Sequence, residues 1–221
     1  SMNQTGTAAD GIVAIGKFTV MGATTSGADN TIAIGTSALN DLTSGAGNTA
    51  IGYTAMAAQT TGNYSTAVGY EALAQLNKSG TVGNTAIGYR AGYGQTTAGY
   101  ENVYAGYNSG HTSTGEANVM IGAQSGYAAI SQANMVLVGH AAGSAINNDG
   151  ADGTVAIGKS ALTALTSGGS NTALGYLAGA HISSGASNTF LGYSAGANGE
   201  DIKQWELLTE VFLHILLQLK T

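Results

Sequence analysis

The chain has 221 residues, with 35 glycines, no proline, no cysteine, only 8% charged residues and a formal net charge of −6. Without cysteine there is neither a disulfide nor a thiolate metal site. Six Lys+Arg that never cluster give no electrostatic footprint for nucleic acid and no polybasic patch for a membrane.

Residues 1–10 read as a lead-in, opened by a Ser1-Met2 that has the look of a cloning remnant. From there to residue 198 a short apolar block ending in glycine recurs. The closing glycines are Gly16, Gly35, Gly52, Gly69, Gly88, Gly106, Gly122, Gly139, Gly158, Gly175 and Gly192, spaced by 16 to 19 residues. Self-similarity at a nearly fixed short period defines a solenoid, whose units bury apolar surface only by stacking on their neighbours. The predicted fold is therefore all-β: a parallel β-roll of about eleven coils over residues 11–198. Glycine in register, without proline, points to ordered tight turns rather than low-complexity disorder. Each glycine costs backbone entropy on folding, so oligomerisation is expected to supply part of the stability.

Aligned on the closing glycine, the sequence becomes a set of columns. The positions three and one before it hold β-branched and aliphatic residues, such as Thr49 and Ile51 or Val136 and Val138. Residues two apart on a strand share a face, and these two columns are expected to fill the coil interior. The column between them is then expected to point outward. It includes Ala50, Ala67, Ala86, Tyr104, Met120, Leu137, Ala173 and Phe190, none of them charged, and reads as the interface of a homotrimer. Asparagine recurs four before the glycine, as Asn48, Asn84, Asn102, Asn118, Asn171 and Asn188, where stacked amides can form a ladder.

Tyrosine recurs one after the glycine, as Tyr53, Tyr70, Tyr89, Tyr107, Tyr176 and Tyr193. An exposed aromatic row of this kind can contact sugar rings of a surface polysaccharide. Alternatively the rings stack on one another and brace the rod, which is the favoured reading. The oxygen-rich loop at residues 147–153 lacks the spacing and terminal Glu of a calcium-binding loop, and His111, His140 and His181 fall in different coils. No metal site and no cofactor are expected. A regular Thr column also raises ice binding, but threonines expected to face inward argue against it.

After Gly199 the composition changes abruptly, and residues 199–221 are expected to form a C-terminal helix. Asp201 is its N-cap, and Trp205, Leu208, Phe212, Ile215 and Leu219 form a short apolar seam for a trimeric bundle or a cap under the last coil. The longest apolar stretch, from Val211 to Leu219, is interrupted by His214 and Gln218 and is too short for a bilayer span, so no membrane insertion is expected.

The repeated Asn-Thr-Ala-Ile-Gly-Tyr (48–53, 84–89) and Val-Ala-Ile-Gly (13–16, 155–158) blocks resemble two families. One is the head of trimeric autotransporter adhesins of the YadA type; the other is the repeats of bacteriophage tail fibres and tailspikes. The coils are longer than those of the adhesin head, and no match to its neck motif precedes the C-terminal segment. Tyr after the glycine and Leu-Thr-Ser-Gly turns bring the chain closer to the phage repeats. The resemblance implies a left-handed, homotrimeric roll in a virion tail fibre, binding a bacterial cell-surface receptor such as a polysaccharide. The bacterial surface is the alternative location. No His-Glu-x-x-His motif and no phosphate loop occur, and Glu71, Glu101, Glu116, Asp149 and Asp152 are scattered, so a non-enzymatic role is expected. A polysaccharide-cleaving tailspike fragment is the less favoured reading.

Overall fold

A computed structural model describes residues 10–22, 27–96, 99–148 and 150–196. The lead-in before Asp10 and the segment 199–221, with its expected helix and the seam residues Trp205, Leu208, Phe212, Ile215 and Leu219, lie outside the described residues.

The protein is an all-β parallel solenoid. Each closing glycine is preceded by a three-residue strand: β1 (Val13–Ile15), β2 (Ile32–Ile34), β3 (Thr49–Ile51), β5 (Thr66–Val68), β7 (Thr85–Ile87), β8 (Val103–Ala105), β9 (Val119–Ile121), β10 (Val136–Val138), β11 (Val155–Ile157), β12 (Thr172–Leu174) and β13 (Thr189–Leu191). These eleven strands form one parallel sheet in sequence order, so ten turns of the solenoid separate the first from the last. The columns hold register throughout: Ala50 pairs with Ala67, and Tyr104 with Met120. Two short strands, β4 (Gly62–Asn63) and β6 (Gly80–Thr81), pair on a second side. Among the described residues there is no α-helix.

The two faces of the strand are the reverse of the sequence expectation. Ala50, Ala67, Ala86, Tyr104, Met120, Leu137, Ala173 and Phe190 all lie inside the single chain, in its hydrophobic core. They are not an intersubunit surface. The β-branched columns on either side point outward instead. The asparagines explain the parity. Asn48 stands immediately before β3, two residues from Ala50 and with the same parity, and both are fully buried.

Each buried Asn ties its coil to the next by two bonds. The Asn102 side-chain oxygen accepts from the Asn118 amide at 2.9 Å, while its Nδ2 donates to the Gly115 carbonyl at 2.9 Å. Asn48, Asn84, Asn118 and Asn171 repeat the pattern. Buried backbone groups at the corner, which no sheet bond reaches, are satisfied this way.

Core volume is shared between the strand centre and the corner four residues after the closing glycine. Where the centre is Ala33, Ala50, Ala67 or Ala156, the corner holds buried Leu39, Met56, Leu73 or Leu162. Where the centre is Tyr104, Met120, Leu137 or Phe190, the corner is Gly110, Gly126, Gly143 or Gly196, and a Cβ there would meet the large side chain itself. Ala86 and Ala173 have corner glycines too, because the rings of Tyr104 and Phe190 from the next coil reach Gly92 and Gly179. Close packing in a thin coil tolerates only one large group per site. Tyr104 is completed by polar contacts, donating to Ser113 Oγ at 3.0 Å and accepting from Gln95 Nε2 at 3.2 Å. Burial pushes its phenol pKa up, against the smaller effect of the Ser113 bond.

The closing glycines stack on one another. Gly52 has φ +144°, and a Cβ there would collide with the Gly69 carbonyl of the next coil. Both the backbone conformation and the space therefore demand glycine in this column, save at Gly192, the last of the stack, where the backbone conformation alone does.

Candidate functional site

The surface presents two features built by the repeat. One is the outward strand face, the other an aromatic corner.

On the strand face, the columns three and one before the glycine supply Val, Ile, Thr, Leu and Ala105, with no charged or amide side chain at any rung. Ile87 is 51% exposed and Leu191 66%. Ile15, Ile121 and Leu174 are exposed as well. Aliphatic side chains on a continuous, uncharged strip of this length are what an interaction surface presents to a partner. The threonines share this face, so the inward orientation that argued against ice binding does not hold.

The tyrosines after the closing glycines stack from coil to coil. Ring centroids are 5.0 Å apart for Tyr53–Tyr70, 5.3 Å for Tyr70–Tyr89 and 5.2 Å for Tyr89–Tyr107, with interplanar angles of 10–16°. Tyr176 and Tyr193 form a separate pair at 5.4 Å. Strand spacing, about 4.8 Å, sets the step. The rings brace the rod as the favoured sequence reading has it. The faces of Tyr70 and Tyr89 are covered by their neighbours, so these rings offer edges and hydroxyls to the outside rather than open faces. Desolvation in the stack, with Glu71 beside it, raises the Tyr70 phenol pKa.

A second aromatic ladder runs beside the first, formed by Tyr93, His111 and Tyr127, with centroids 5.2 and 5.1 Å apart. The sequence reading missed it and placed His111 only in a different coil from His140 and His181. Its signal was available, since all three residues stand five after a closing glycine. Arg90 links the ladders. Its guanidinium lies 5.2 Å from the ring centres of both Tyr89 and Tyr93 and its Nε donates to Glu71 Oε2 at 2.5 Å. Desolvation, and then the charge of Arg90, lower the His111 pKa. Its Nδ1 is buried without a hydrogen-bond partner, as is Asn108 Oδ1 in the same corner.

The remaining candidates are ordinary parts of the coil. Asp152, in the oxygen-rich loop, accepts the Ala133 amide at 2.8 Å, and Asp149 lies outside the described residues. Among the described residues no three His, Cys, Asp or Glu side chains gather as metal ligands. The string Gly192-Tyr193-Ser194-Ala195-Gly196 spells a nucleophile elbow. It is nevertheless the repeat's own corner, with the Ser194 amide donating to the Tyr176 carbonyl as the equivalent amide does in each coil from Ser37 onward.

The class defined by these observations is the parallel β-solenoid with one buried and one apolar exposed strand face. No protein-family model, no curated protein and no solved structure matches the chain.

Proposed function

We propose that the chain is a non-enzymatic structural segment of an attachment fibre, of the phage tail-fibre type, which assembles as a homotrimer and presents its aromatic corner to a glycan receptor on a bacterial surface. One observation carries the reading: the outward strand face is an uncharged strip of Val, Ile, Thr and Leu, with Ala105 at one rung, along every coil. Ten strand steps of about 4.8 Å make it roughly 50 Å long. At roughly 10 Å width, two such faces remove on the order of 1,000 Å² from water, the lower bound of a specific interface. A homotrimer around the rod axis covers the strip on all three chains, leaving the aromatic corner outside. The expected C-terminal helix belongs to the same reading, as a clamp or cap on the trimer.

Sedimentation equilibrium of the purified chain, with labelled chain added in parallel to bacterial cells that carry or lack surface polysaccharide, tests this. A trimer that adheres to polysaccharide-bearing cells is expected. A monomer contradicts the assembly reading and leaves the Thr/Val/Ile strip as a regular lattice for ordered water, which a thermal-hysteresis measurement on ice checks.

A further inference from the structure

The first tyrosine ladder ends abruptly. The column after the closing glycine runs Tyr53, Tyr70, Tyr89, Tyr107, then Ala123, then His140. The register is continuous through the break. The Gln124 amide donates to the Tyr107 carbonyl, that of Ala141 to Ala123 and that of Ser160 to His140. Ala123 is therefore a missing ring between two ring-bearing coils. Lys159, between His140 and Tyr176, is the other ringless position so flanked among the described residues, but its long side chain lies over the Tyr176 ring, with Nζ 5.8 Å from its centre. Tyr107 shows the consequence. It is 54% exposed, against 37% for Tyr89, which has a ring on either face.

We infer that the notch at Ala123 is a binding slot for one pyranose ring of an uncharged glycan. This rests on the attachment reading above and locates its receptor contact. Two strand steps separate the flanking positions by about 10 Å, room for one ring stacked against each wall. A step of about 4.8 Å suits a puckered sugar, which is thicker than a flat aromatic and carries C–H groups on both faces. Sugars pack on aromatic faces, and Tyr107 has the open face that the covered rings of Tyr70 and Tyr89 lack. Tyr127 stands in the same coil as Ala123, on the neighbouring ladder, and Gln124 is exposed beside it. Their hydroxyl and amide are hydrogen-bonding groups for sugar hydroxyls. Tyr107, Asn108, Ala123, Gln124, His140 and Ala141 include no Asp, Glu, Lys or Arg, which favours an uncharged sugar over an acidic one.

The test is a titration of the full chain with gluco-, galacto-, manno- and N-acetylglucosamine oligosaccharides, repeated on Ala123→Tyr, which fills the slot, and Tyr107→Ala, which removes a wall. Thr36→Tyr lengthens the ladder at its other end and serves as the control. Saturable binding of at least one oligosaccharide is expected, weakened about tenfold or more in both slot variants and unchanged in the control. Circular dichroism of Ala123→Tyr should match the parent. Equal binding by parent and Ala123→Tyr overturns the slot while leaving the attachment reading intact. Binding of none of the oligosaccharides also overturns the slot, and adhesion of the parent to polysaccharide-bearing cells then decides the attachment reading separately.

Discussion

The ring of Tyr104 occupies the place where a side chain at Gly110 would begin. The two residues sit six apart in sequence and divide one volume, as Ala67 and Leu73 divide it two coils earlier with the sizes exchanged. Leu73 has φ +49° and Gly110 φ +58°, so leucine is compatible with this corner's backbone, and what excludes it at Gly110 is the ring.

Tyr104→Ala should destabilise the rod by about 3–5 kcal/mol and Gly110→Leu by about 1–3 kcal/mol. The double variant rebuilds the Ala/Leu pairing and should be more stable than Tyr104→Ala alone. Urea unfolding of the two single variants and the double measures the coupling. Additive losses would contradict the shared volume.

Asn102→Ala leaves the buried Asn118 amide without its acceptor and should cost about 2–4 kcal/mol in packing and unmet hydrogen bonding. Asn102→Ser should recover part of this, because a serine already serves the column at Ser65, whose Oγ accepts from the Asn84 amide at 3.4 Å. Denaturant melts of both variants check the order.

His111 links stability to pH. Its pKa is held below the ordinary value by desolvation and Arg90, so the unfolded chain takes up its proton first as pH falls. His111 therefore penalises the folded state below the unfolded pKa of about 6.5, and contributes nothing well above it, where both states are neutral. His111→Phe keeps the stack with Tyr93 and Tyr127 and removes the titration. The difference in melting temperature between pH 8 and pH 5 should be smaller in the variant than in the parent; an identical difference would contradict the assignment.

Much of this was legible in the residues. Periodic glycines fixed the coil, and Asn48, Asn84 and Asn102 announced a ladder. The strand faces were not, because both are apolar. Thr49 and Ile51 suit a pleated surface, and Ala50 between them carries no polar mark to choose a side. The choice lay one residue beyond the strand: Asn48 shares parity with Ala50, and a laddered amide belongs inside. The exchange between Tyr104 and Gly110 was hidden because it is seen only when strand centre and corner are compared within a coil. The Tyr93–His111–Tyr127 ladder escaped because only three coils carry it.

Met120 and Ile121 are adjacent in β9 and face opposite ways, the first fully buried and the second exposed. Sedimentation equilibrium combined with thermal melting on Met120→Lys and on the double variant Ile87→Lys/Ile121→Lys tests the account most directly. The prediction is that Ile87→Lys/Ile121→Lys keeps the parent's β-structure but sediments as a monomer, while Met120→Lys loses the fold. A folded, dissociated Met120→Lys beside an Ile87→Lys/Ile121→Lys that still assembles would contradict it.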